Sequence, residues 1–165
     1  DKYMGNITNG ADLYDFEGYK IYRATDFEFN DAYNITDGDG NPTFLEPYVQ
    51  NGVRAQWDLV DGKSGWHPVD LNGIKFYLGD DTGLTHSYVD HNVVNGQRYY
   101  YAVVSYDYGG DLSNNIIPSD SPMKLRVNPL TGAVSLGPNV VEVVPSPPSA
   151  GFVDCLLYTS PSPRD

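Results

Sequence analysis

Cysteine occurs once in 165 residues, at Cys155, and glutamate four times against eighteen aspartates. A single cysteine builds no disulfide framework and no thiolate metal site. No apolar run approaches the length of a bilayer-spanning helix. No Gly-rich phosphate loop follows a strand pattern, and no serine sits in a nucleophile-elbow context. With no nucleophile beside a base, the chain reads as non-catalytic. Basic residues are few: Lys and Arg total 10 against 22 Asp and Glu, a net charge of −12. Phosphate backbones and anionic lipid repel such a chain, which argues against nucleic-acid partners and membrane insertion.

What is abundant is turn chemistry and tyrosine. Glycine occurs 17 times, proline 12 times and tyrosine 14 times. Asp, Gly and Pro disfavour long helices and favour short strands joined by tight turns. The expected class is all-β. Residues 16–24 alternate, with Tyr19, Ile21 and Arg23 on one side and Lys20 and Tyr22 on the other. Residues 99–106 alternate likewise, with Tyr99, Tyr101 and Val103 opposed to Tyr100, Ala102 and Val104. Both faces of that run are apolar, as in a strand at the middle of a sheet. Residues 54–60 read as a short strand. Residues 73–78 and 84–89 read as a hairpin around Gly79-Asp-Asp-Thr-Gly83. Residues 123–127 read as an edge strand, since Pro118 and Pro122 flank its entry.

In order, Gly18-Tyr-Lys-Ile-Tyr-Arg23, a long insertion, Ser87-Tyr-Val-Asp90, Asn95-Gly96 and Tyr99-x-Tyr-Ala-Val103 resemble fibronectin type III-like domains of large secreted or surface bacterial proteins. The resemblance implies an immunoglobulin-like β-sandwich with residues 16–24 as strand C, 84–89 as E, 98–106 as F and 123–127 as G. The family's strands A and B are not visible before Asp15: either they lie upstream of Asp1 and the domain is incomplete at its N-terminus, or the N-terminal loop does something else. The C–E connection, about residues 25–72, is a long insertion. Tyr99, three residues after Gly96, falls at the tyrosine-corner position, where its hydroxyl would bond a backbone group across the loop. Tyr19, Ile21, Tyr101 and Val103 complete the framework.

Domain organisation follows from these signals. Residues 1–15 read as a polar loop and 16–128 as the domain. Residues 129–154 read as a Pro/Gly-rich linker ending in Pro145-Ser-Pro-Pro-Ser149. Residues 155–165 resemble, residue for residue, the translation of a transposase adapter used in DNA library preparation, and they are set aside from the fold.

Asp37, Asp39 and Asn41 have the spacing of the first three oxygen ligands of a calcium loop. Pro42 stands where that loop needs Gly, and Tyr48 where it needs an acid. An Asp-Gly turn pair accounts for the same residues, so no cofactor is expected beyond that candidate Ca2+. His86 and His91, five apart, fit no zinc pattern. Among the aromatics, Trp66, Tyr22 and Tyr100 are candidates for ligand contact. The functional expectation is a binding or spacer module of a modular extracellular or cell-surface protein. Its partners are neighbouring domains of the same chain and a protein or glycan ligand. The alternatives are an accessory domain of a secreted polymer-degrading hydrolase and a calcium-dependent adhesion module.

Overall fold

The computed structural model describes residues 15–110, 115–123 and 125–150. The N-terminal loop, all but Asp15, and residues 155–165 lie outside the described residues. The chain is all-β, with one 3-10 turn at Asn30–Ala32 and no α-helix among the described residues. Among the described residues twelve strands run in order: β1 (Phe16–Ala24), β2 (Ile35–Thr36), β3 (Pro42–Phe44), β4 (Val49–Gln50), β5 (Val53–Arg54) and β6 (Gln56–Asp58). They continue as β7 (Trp66–Leu71), β8 (Ile74–Tyr77), β9 (Tyr99–Asp107), β10 (Leu125–Val127), β11 (Val134–Leu136) and β12 (Val140–Val143). No helix among the described residues is long and apolar enough to cross a membrane.

One antiparallel sheet organises the molecule, in the order β12-β9-β1-β6. β1 and β9 are central and pair from Ala24↔Tyr100 to Phe16↔Asp107, with a bulge at Glu17. Both are nine residues long, which matches their uninterrupted alternation in sequence. Gly18 lets β6 approach: a Cβ there would stand 2.1 Å from the Trp57 carbonyl oxygen. The remaining strands form four two-stranded ladders, β2-β3, β4-β5, β7-β8 and β10-β11.

The two faces of the sheet are unlike. Tyr22, Ala24, Tyr100, Ala102 and Val104 form the core with Phe29, Ala32 and Val140. Met123, Leu125 and Leu136 pack against it. Burial of one ring such as Phe29 contributes about 1.5–3 kcal/mol. At the other end of the same face, Tyr106 packs with Phe76 and Leu78. The opposite face carries Trp57, Tyr19, Ile21 and Val103, which register places side by side. Tyr19, Ile21 and Tyr101 are half-buried there and Val103 is 49% exposed. The framework residues read from the sequence thus stand on the less covered face.

Three expectations are corrected. Residues 84–89 form no strand; the hairpin is β7-β8, turned by Asn72 and Gly73, both at positive φ. That is a two-residue turn of the kind Asn-Gly favours. Gly79–Gly83 does not turn a hairpin, because the Asp58 carboxylate captures it. Asp58 accepts the Asp81 N–H at 2.6 Å and the Thr82 N–H at 2.7 Å.

Residues 123–127 do not extend the main sheet: Leu125–Val127 pairs with β11, and Val127 is exposed. Residues 140–143, expected in the linker, are the edge strand of the main sheet. There Val140 is opposite Ala102 and Val143 opposite Tyr99. The insertion is structured as well. Its Phe29 and Ala32 cap the core, and its β6 completes the sheet.

Candidate functional site

The exposed aromatic surface is built on the β7-β8 ladder. Register sets Trp66 directly opposite Tyr77, and their ring centroids are 5.0 Å apart in an edge-on arrangement. Cross-strand aromatic pairs of this kind stabilise a two-stranded ladder. Tyr77 is held further from both sides. Its hydroxyl donates to Asp80, and the Arg54 guanidinium lies 5.2 Å from its ring centroid. The Asp80 bond, with some burial, raises the Tyr77 phenol above its ordinary value.

Trp66, a candidate for ligand contact, opens β7 and stays 59% exposed. Two clefts meet along this ridge. One, of about 540 Å3, is lined by Arg54, Trp57, Tyr77, Asp80 and Tyr88. The other, of about 380 Å3, is lined by Arg54, Phe44, Trp66, Phe76 and Tyr77, with Lys20 and Asp120 also on its wall. Rings beside carboxylate, amide and guanidinium groups suit the faces and hydroxyls of sugar rings. Tyr22 and Tyr100 belong to the buried core and present no face to a ligand.

Asp90 is a second polar centre, on the less covered face. It accepts Arg23 Nη1 at 2.8 Å, the Tyr101 hydroxyl at 2.7 Å, the Tyr48 hydroxyl at 3.0 Å and the Asn92 N–H at 2.8 Å. Burial works against its charge, yet these bonds hold its carboxyl below the ordinary range. Arg23 stands on β1 and Tyr101 on β9, so Asp90 pins the chain between β8 and β9 to both central strands. Sequence reading singled out the Ser87-Tyr-Val-Asp90 motif and missed this role, which needs partners 11 to 67 residues away.

At the start of β9, the Tyr99 hydroxyl accepts the Val94 N–H at 3.0 Å. It thereby spans a turn in which the Gln97 N–H bonds the Val94 carbonyl and Gly96 takes φ 83. Tyr99 is buried. The turn is fixed from both ends, as Gly96 N–H also bonds the Pro145 carbonyl at 2.8 Å.

Asp37, Asp39 and Asn41 form one turn, organised by the Asp37 carboxylate. Asp37 accepts the Asp39 N–H at 3.0 Å and the Asn41 N–H at 2.8 Å, an exposed turn closed on itself. The Asn41 side-chain amide, which also donates to Asp37, and then the backbone bonds lower its carboxyl below the ordinary value. Among the described residues, no group of three or more His, Cys, Asp or Glu could hold a metal. His67 is buried, with Nε2 2.6 Å from the Gly110 carbonyl and Nδ1 3.2 Å from the Val69 N–H. His86 and His91 are exposed.

No family model, curated protein or solved structure matches the chain.

Proposed function

We propose that the chain is a non-catalytic binding module of fibronectin type III-like design, carried in a modular extracellular or cell-surface protein. Its ligand is a glycan, taken along the Trp66–Tyr77 ridge. The order β6-β1-β9-β12 supports the design. It parallels the antiparallel C′-C-F-G order of immunoglobulin-like sandwiches, with β12 in the place expected of residues 123–127. The Tyr99 hydroxyl bridging back to Val94 supports the tyrosine-corner assignment.

One observation carries the ligand class. A tryptophan 59% exposed lines one cleft and packs against the neighbouring strand's Tyr77, which lines both clefts. An aromatic side chain kept rigid in water is organised for stacking rather than for the core. Affinity electrophoresis through gels containing neutral polysaccharides tests the reading. Retardation by at least one polymer is expected, abolished in Trp66→Ala. Free migration through the whole panel, with unquenched tryptophan fluorescence, would remove the glycan assignment.

A further inference from the structure

We propose that Lys20 and Asp120 condense into an intramolecular amide cross-link once the chain has folded.

The two residues are 100 positions apart, yet Lys20 Nζ lies 3.1 Å from Asp120 Oδ1. Both are held. Lys20 projects from central strand β1 into the core face and is 5% exposed. Its nitrogen lies 3.5 Å from the Phe76 ring centroid and 4.5 Å from that of Tyr106. Asp120 is anchored by an isolated antiparallel bridge to Tyr106, the β9 neighbour of Gly18. Its second oxygen, Oδ2, accepts the Tyr22 hydroxyl. Amine and carboxyl are therefore oriented and largely withdrawn from water, which converts an encounter into a unimolecular step.

Burial of Lys20 favours the neutral amine, the form that attacks. Burial pushes the Lys20 ammonium down to about 8, against the attraction of Asp120 and Asp107. Burial also raises the Tyr22 phenol, beside Asp120, so its hydroxyl keeps its proton and remains a donor.

The step balances without a cofactor or oxidant. One proton passes from Nζ to Oδ1, turning the ion pair into amine and carboxylic acid. The Nζ lone pair then forms a bond to Asp120 Cγ. Oδ2 takes up the developing charge against the Tyr22 hydroxyl, in the manner of an oxyanion donor. The Cγ–Oδ1 bond breaks as a second proton leaves Nζ for Oδ1, and water departs. Oδ2 becomes the amide oxygen. Lys20 and Asp120 both line the 380 Å3 cleft, which gives the water a way out. The product ties central strand β1 to the segment leaving β9, a covalent clamp suited to a module under tension.

The test is the intact mass of the purified full chain, denatured after folding. The expected mass is one water below that of the sequence. Fragmentation of a digest should show a branched peptide joining the segments that hold Lys20 and Asp120. Lys20→Arg and Asp120→Ala should both keep the full mass. Succinimide formation at the Asp-Gly pairs also sheds water, but leaves no branched peptide and survives Lys20→Arg. A folded wild-type chain at full sequence mass after prolonged incubation overturns the proposal, as does a water loss without the branched peptide. The wild-type measurement stands even if a variant does not fold.

Discussion

Arg23 and Asp90, 67 residues apart, meet at 2.8 Å, and the Arg23 guanidinium lies 3.8 Å from the Tyr48 ring centroid. The same carboxylate accepts hydrogen bonds from the hydroxyls of Tyr48 and Tyr101. One acidic side chain thus does the joining that a strand at residues 84–89 was expected to do. Where backbone pairing is missing, a charge-assisted cluster replaces it.

Asp90→Ala should therefore be costly. It leaves a guanidinium and two hydroxyls without their shared acceptor, and loss of one partner of such a cluster costs about 3 kcal/mol. The contribution depends on pH with a definite sign. The Asp90 carboxyl is held below its ordinary value, so its stabilisation is fully present above the unfolded-state value. It disappears as pH falls through the folded-state value. Urea unfolding of wild type and variant at neutral and acid pH should show a gap that closes on acidification. A neutral-pH gap below about 1 kcal/mol would rank Asp90 with ordinary surface pairs.

Glu17 should show the opposite slope. It is fully buried at the β1 bulge, and neither carboxylate oxygen has a hydrogen-bond partner among the described residues. Burial, then the charges of Asp61, Asp58 and Asp81, push it up to about 7, with Lys63 opposing. A folded-state value above the unfolded one means that the folded chain binds the proton more tightly. The associated stability is complete below the ordinary value of 4.5 and is lost as pH rises through about 7. Glu17→Gln removes the burial of a charge, so at pH above 7 the variant should exceed wild type by about 1–3 kcal/mol. At low pH the two should coincide. Thermal midpoints recorded across that interval decide the matter; parallel curves would mean that Glu17 is solvated when charged.

Much of this was visible in the sequence, and the reasons for the rest are specific. β1 and β9 are long and central, and apolar side chains recur along each at the strand period, so both were legible. Which face would be covered was not. Lys20 sits on the core side, where its chain packs under aromatic rings, while Ile21 and Val103 stand on the more open side. Composition alone would have chosen the reverse. β12 is four residues long and bordered by Pro138 and Pro145, so local signals spoke for a linker; pairing with Ala102 and Tyr101 overrode them. The hairpin was set one segment too late because Asp58 claims the Gly79–Gly83 turn from more than twenty residues away. Trp66 was singled out as an aromatic contact, but its partnership with Tyr77 depends on strand register, which Asn72-Gly73 sets. Lys20 with Asp120, and the buried Glu17 carboxylate with no hydrogen-bond partner among the described residues, are tertiary facts with no local sequence signal.

Tyr99→Phe isolates a single hydrogen bond. The substitution keeps the ring, which lies 6.3 Å from that of Tyr101 and 5.1 Å from the Arg23 guanidinium carbon. Only the hydroxyl goes, leaving the part-buried Val94 N–H without its acceptor at 3.0 Å. The cost should be about 1–2 kcal/mol, read as a lower urea midpoint at unchanged slope. The damage should also be local. Val94 and Gly96 form the turn that the Pro145 carbonyl closes, so amide exchange should quicken at residues 94–97 and at β12 before it does in β1. A midpoint equal to wild type would mean that water replaces the hydroxyl at no cost, and that the turn is fixed by Gly96 and Pro145 instead.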